Sequence, residues 1–558
     1  MTAGVASSRR FGAVGASSGA ALVAALLAWL VGYPLLITLL AAVQVDGSFS
    51  LSAVSEFGRR ADEWMALWRS IWTSIASVVL AAAVGVPLAF LFERADFPGR
   101  RLLGALVALP VALPPLVGVI AFLFLYGESG FVARLLQAMG FEVRWRLQGA
   151  GAILLVHAYS MYVYFYLFTR AALARIDGAY HEAATALGCT PIRRLARVTL
   201  PLLRPALAGA ALLTFMTALA SFSAPYIFGG GFRVMTTQIV ASKLNGDLAL
   251  AHVETIALAA LALAALVAMR WVDTAAPGGA TGLRGAVLRR RRPSAAWRWL
   301  LAVVCTAAAG VLMLPHLTLL LLSFVPPDTW TTQALPPVLD LGNYTILFAE
   351  PERLRPLVNS LWMAGVATAL AVALGLLAAR FSLRAGGRLG RLLEGLVALP
   401  WAIPGTVFAI ALAATFSVSR PWLGRFLWIG TPWILPLAYL VRSLPVTGRA
   451  ALAGLRQLDP SLEEAAAALG APPRRRLTAV VVPLLRPALV AGAALAFLTA
   501  AGDFVTSIVL YTYSTRPISI EVLSSLRLQQ IGLAATYGVL LMALSAAVFL
   551  VWGRRDAV

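Results

Sequence analysis

Residues 182–207 read EAATALGCTPIRRLARVTLPLLRPAL, and residues 464–489 read EAAAALGAPPRRRLTAVVVPLLRPAL. The two stretches align without a gap at an offset of 282 residues, and PLLRPAL recurs unchanged. Upstream, RLLGALVALPVALPP at 101–115 matches RLLEGLVALPWAIPG at 391–405, here at an offset of 290. The larger offset also pairs Ser70, Trp72 and Gly85 with Ser360, Trp362 and Gly375, so the second copy is shorter by eight residues between the two blocks. Beyond the loop, Thr217 and Phe222 match Thr499 and Phe504. Self-similarity at matched places along both halves marks a tandem duplication.

Composition says where such a chain lives. Of 558 residues, 60% are hydrophobic and 12% charged, with a mean hydropathy of +0.84. A soluble chain carries about twice that share of charge, so a soluble enzyme or a disordered scaffold is excluded. Runs of roughly 20 apolar residues, each enough to cross a bilayer, recur about twelve times. They fall at 20–43, 68–92, 102–126, 150–172, 203–225, 253–270, 299–324, 358–380, 391–416, 430–447, 485–511 and 533–552. The fold class expected is all-α polytopic, about twelve transmembrane helices in two tandem parallel repeats of six. The expected modules are 1–270 and 299–558, joined by a basic linker at 271–298 that contains Arg289 to Arg292.

Charge orients the spans. Lys+Arg outnumber Asp+Glu by 45 to 24, and the lone lysine is Lys243. In a soluble protein this excess would suggest nucleic acid. Here the arginines gather in alternate short loops (Arg94, Arg100, Arg101; Arg193, Arg194, Arg197; Arg380, Arg384, Arg388; Arg474 to Arg476). The positive-inside rule puts those loops and both termini in the cytoplasm and leaves no role for nucleic acid. Cys189 and Cys305 stand far apart, and His157, His181, His252 and His316 have no metal-ligand spacing. No metal site and no catalytic centre is expected.

The opening repeat carries the functional signal. Alanine-rich helix ahead of Gly188 or Gly470 predicts a short helix that stops at the glycine. Basic residues follow, and Pro201 and Pro483 predict re-entry toward the membrane. Each half thus holds a helix–Gly–helix unit between two spans. A lever needs such a part: short, exposed, small in side chain and stiffly joined to a span.

Glu-Ala-Ala, a glycine and a Leu-Pro pair resemble the coupling-loop signature of permease subunits of bacterial ATP-binding-cassette importers. Two copies in one chain resemble the fused permeases of the ferric-iron and thiamine type, the type I importer fold, and the likeness covers essentially the whole chain. The resemblance implies that each loop docks as a helix in a cleft of a cytoplasmic ATPase. Glu182 and Glu464 would then make polar contacts at the dock, and Ala183, Ala184, Ala465 and Ala466 would permit close approach. Gly188 and Gly470 would allow the turn, with Leu200, Pro201 and Pro483 closing the motif; Val482 stands where Leu is usual. It further implies a homodimeric ATPase carrying ATP and Mg outside this chain, a periplasmic or lipid-anchored binding protein, and a place in the bacterial inner membrane among its lipids.

Absences agree. No GxxxxGK[ST] occurs, so the chain cannot cradle ATP phosphates in the usual way, and no cofactor of its own is expected. Few ionisable residues are expected inside the spans, mainly His157, His316, Glu394 and Asp503, which disfavours the alternative of an ion-coupled secondary transporter with two six-helix halves. Asp503 falls opposite Ser221 in the repeat. Ser221, Ser223, Asp503 and Thr506 are candidate pathway residues, against the alternative that Asp503 is a helix-terminal aspartate satisfied locally. Pro110, Pro114, Pro400 and Pro404 predict kinks in spans three and nine. The transported substrate is expected to be iron(III) or thiamine, with phosphonates and polyamines as the wider set.

Overall fold

The computed structural model describes residues 18–45, 48–141, 146–274, 294–330, 333–419 and 427–553. The Arg289 to Arg292 run and most of the expected linker lie outside these residues. The first half comprises α1 (Ser18–Ala42), α2 (Ser52–Arg59), α3 (Ala61–Arg94), α4 (Arg100–Ala108), α5 (Pro115–Tyr126), α6 (Phe131–Ala138) and α7 (Gly149–Leu173). It continues with α8 (Gly178–Ala186), α9 (Pro191–Leu219), α10 (Ser223–Phe228), α11 (Met235–Leu244) and α12 (Leu248–Thr274). The second half runs α13 (Ala295–Leu322), α14 (Gly342–Ala349), α15 (Pro351–Ala385), α16 (Gly387–Ala402), α17 (Gly405–Phe416) and α18 (Ile434–Gln457). It ends with α19 (Pro460–Ala468), α20 (Pro473–Ala501), α21 (Ser507–Leu510), α22 (Ile518–Arg527) and α23 (Ile531–Gly553). A two-residue hairpin, Gln44–Val45 with Ser48–Phe49, is the sole sheet among the described residues.

Each of the twelve expected spans is met by helix. Ten helices are long and apolar enough to cross a membrane, eleven if the bent pair α16–α17 counts as one span. The remaining place is taken by α18, whose 24 residues include Arg442, Arg449 and Arg456.

Two expectations are corrected. Spans three and nine are broken rather than kinked. A tight turn at Leu109–Ala112 separates α4 from α5, and α16 meets α17 at 106°. Pro114 and Pro404 cap the resumed helices, where a residue without an N–H costs nothing. Spans five and eleven stop at Leu219 and Ala501 instead of reaching 225 and 511.

Repeat-matched contacts hold both halves together. A Cβ on Gly85 would lie 2.3 Å from the Tyr162 carbonyl, and one on Gly375 would lie 2.9 Å from the Gly448 nitrogen. Glycine therefore lets α3 cross α7, and α15 cross α18, at backbone distance, as small residues do between membrane helices. Ser70 Oγ accepts from the Met235 N–H at 2.8 Å, and Ser360 Oγ from the Ile518 N–H at 2.9 Å, capping α11 and α22 alike.

The first helices are exchanged. α1 packs on α15 to α17, with Trp29 edge-on to Phe416 at 6.2 Å and Gly19 closed over by Phe381. In return, α13 lies on the first half, where Tyr159 donates to the Leu312 carbonyl at 2.8 Å and Cys305 joins the Phe92–Tyr162 cluster. At the centre, Phe222 meets Phe504 with ring centroids 5.7 Å apart. A residue that touches its own repeat counterpart marks the axis relating the halves.

More charge lies within the helices than expected. Glu63 and Glu254 are fully buried, held by Gln238 at 2.9 Å and Ser242 at 2.6 Å. Arg442, on α18, pairs with Asp503 at 2.6 Å.

Candidate functional site

Both loops are built alike from local chemistry. Asp177 Oδ1 accepts from the Ala179 N–H at 2.9 Å, and Asp459 Oδ1 from the Ser461 N–H at 2.9 Å, so each loop helix begins on an aspartate cap. These hydrogen bonds hold the Asp459 carboxyl below the usual carboxylate range. At the far end, Gly188 and Gly470 sit at φ +75° and +80°, the left-handed region. Cys189 N–H then reaches back to the Ala184 carbonyl at 2.9 Å and Ala471 N–H to Ala466 at 3.0 Å, closing the two helices identically.

Pro201 and Pro483 do not begin a new helix. The helix already resumes at Pro191 and Pro473 and runs unbroken to Leu219 and Ala501. One wide π-turn in each copy, Leu195–Thr199 and Leu477–Val481, precedes the proline and absorbs its missing N–H. The second helix of each loop is therefore continuous with a span on its downstream side.

Exposure defines the outward face. Glu182 and Glu464 are exposed and make no ion pair among the described residues. Ala183 and Ala465 are also exposed, whereas Ala184 is buried and Ala466 half-buried against the bundle. Leu187 and Leu469, at the glycine turns, are 84% and 89% exposed. A small-residue helix flanked by a carboxylate and a protruding leucine offers a compact surface to a partner.

The inward face is fastened to the preceding long helix. Glu463 receives Arg380 at 2.6 Å and Arg384 at 2.5 Å from the end of α15. Its repeat counterpart is His181, 3.4 Å from Arg94 at the end of α3 and 3.4 Å from Thr199. Burial first, then the charges of Arg94 and Arg194, hold His181 below the ordinary histidine range.

The architecture and the paired loops have a match. The family of binding-protein-dependent transport system inner membrane components matches this chain twice, over residues 81–276 and 371–554. The chain belongs to that permease family. A probable ABC transporter permease, y4fN of Sinorhizobium fredii, is 30% identical over 541 residues, 95% of each chain. The ferric transport system permease FbpB of Actinobacillus pleuropneumoniae is 28% identical over 493 residues, 87% of this chain and 69% of that one. The thiamine transport system permease ThiP of Brucella abortus is 31% identical over 207 residues, 36% of this chain and 38% of its own.

The remaining residues of this permease singled out from sequence lie far from the loops. Ser221, Ser223, Asp503 and Thr506 gather where α9 and α20 break off. Ser221 Oγ lies 2.9 Å from His157 Nε2, and His157 Nδ1 lies 2.8 Å from Ser77. Asp503 Oδ2 accepts from Arg442 at 2.6 Å, while its Oδ1 accepts from the Thr506 N–H at 2.8 Å. Ser223 Oγ is buried without a hydrogen-bond partner. Sequence reasoning missed His181, Glu463, Leu187, Leu469 and Arg442. The leucines stood in the repeated Ala-Leu-Gly triplet, a signal available without any structure.

Proposed function

We propose that this permease is the membrane-spanning subunit of an ATP-driven importer, and that Glu182 and Glu464 mark the two docking points of a cytoplasmic ATPase dimer. The carrying observation is the pair of loops with the same cap, the same glycine turn and the same exposed face, each continuous with a span. Force applied there passes through the glycine turn into α9 and α20, and through Glu463 or His181 into α15 or α3. The loop end is then cytoplasmic. Gly19 packs beside Phe381 at that end, which favours a cytoplasmic start for α1.

Residues 1–270 and 299–558 act as two modules joined by 271–298, and a periplasmic binding protein delivers cargo to the opposite end. The relatives' names favour iron(III) or thiamine as that cargo, with phosphonates and polyamines as the wider set. ATP and Mg stay on the partner. Alternating access follows if ATP-driven approach of the two ATPase subunits favours one of two bundle states.

A mild-detergent pull-down of the tagged chain from its native host tests the reading. An ATPase that copurifies with wild type and is lost from Glu182→Arg/Glu464→Arg supports it. A chain that stays alone and moves solute under an ion gradient sinks it.

A further inference from the structure

We propose that the N-terminus of α17 and the guanidinium of Arg442 form a single corner that binds an oxyanion. Joined to the transport reading above, the corner favours the phosphonate of the wider set over the cations iron(III) and thiamine.

The break between α16 and α17 leaves a helix start inside the bundle. Pro404 supplies no side-chain cap to it. The N–H groups of Gly405 and Thr406 have no acceptor among the described residues. Thr406 Oγ1 is fully buried and also without a partner. Free N–H groups and the positive end of the helix dipole suit an anion. Broken helices in transporters commonly aim such ends at anionic cargo.

Arg442 adds the full charge. A Cβ on Gly405 would lie 2.4 Å from Arg442 Nη1 and 2.8 Å from Cζ, so the guanidinium lies directly against the first residue of α17. Nη1 donates to Asp503 Oδ2 at 2.6 Å and to Thr506 Oγ1 at 3.0 Å, while Nε and Nη2 have no acceptor among the described residues. Asp503 is itself satisfied by the Thr506 and Ser507 N–H groups at 2.8 and 3.3 Å. It therefore anchors the arginine and leaves one edge of the fork unused. The Arg442 side chain is 35% exposed, although Val441, Ser443 and most of α18 around it are buried. The unused edge is therefore accessible from outside the packed core of α18.

The first half lacks every part. At the repeat positions of Gly405, Thr406, Arg442 and Asp503 stand Pro115, Leu116, Ser160 and Ser221. Proline has no N–H, leucine no hydroxyl and serine no charge. The corner is built once per chain, so it would hold its anion off the axis that relates the halves.

Inorganic phosphate is the probe. The purified full chain in nanodiscs is titrated with phosphate against chloride at equal ionic strength, and the thermal unfolding midpoint is followed. A saturable rise specific to phosphate is expected for wild type. Arg442→Gln/Asp503→Asn removes both charges together, and Thr406→Val keeps shape while deleting one hydroxyl. The half-saturating concentration should rise about tenfold or more in the first and several-fold in the second. No saturable rise in wild type, or an unchanged half-saturation in both variants, overturns the proposal. No ATPase is present in this titration. Phosphate binding by a chain that retains no ATPase keeps the corner and sinks the transport reading; the opposite pair of results does the reverse.

Discussion

The loop carrying Glu182 and the loop carrying Glu464 present the same face outward and are tied to the bundle in different ways. Caps, glycine turns and protruding leucines coincide. Behind them, Glu463 is clamped between two arginines, whereas His181 makes two long contacts to Arg94 and Thr199. Whatever docks outside meets two like surfaces, while each inner fastening meets only its own half. Two arginines on one carboxylate should make the second loop the stiffer lever and the first the softer.

Four tests bear on that contrast. The largest effect is expected from Glu463→Ala, which leaves Arg380, only 7% exposed, beside Arg384 with no counter-charge. Water reaches the rest of the cluster, so the cost is set at about 2 kcal/mol rather than that of a fully buried pair. Hydrogen exchange should report about 30-fold less protection over residues 460–468, with 178–186 unchanged.

Gly188→Ala and Gly470→Ala come next, at about 1 kcal/mol each, because both need φ above +70°. Their effects should be equal. Unequal losses would mean that the shared turn is not shared in energy. His181→Glu should then convert the soft fastening into the stiff one, gaining up to about 1 kcal/mol against Arg94 and slowing exchange in the first loop alone.

Acidification should produce the smallest change. His181 is held below its ordinary range, so the unfolded loop takes up a proton first, near pH 6.5. Its contribution is fully present above that pH and falls as the pH drops below it, read as a loss of local protection in the first loop. The second loop helix contains no histidine, so identical acid responses in both loops would remove His181 as the cause.

Sequence made the apolar runs, the duplication and the two levers legible because all three depend on local pattern. α8 and α19 could be placed from alanine, glycine and aspartate alone. What stayed hidden depends on partners distant in the chain. Glu463 reads as one more surface acid beside Glu464 until Arg380 arrives from 83 residues upstream. Arg442 reads as an interruption in a poor span until the break before Gly405 brings a helix start against it. The prolines at 110, 114, 400 and 404 announced a disturbance. They could not announce its size, because a 106° turn is decided by what α17 packs on.

The exchange of first helices bears on how the chain is made. α1 leaves the ribosome first, yet the surface it belongs to, from Met363 to Phe416, is synthesised only in the second half. The first half, in turn, lacks the cover that Ala295–Leu322 supplies until that helix is inserted. Neither half can be finished by itself during synthesis, and contacts this far apart in sequence form slowly. The N-terminal half must wait in the bilayer with one face uncovered until α13 and α15 to α17 follow.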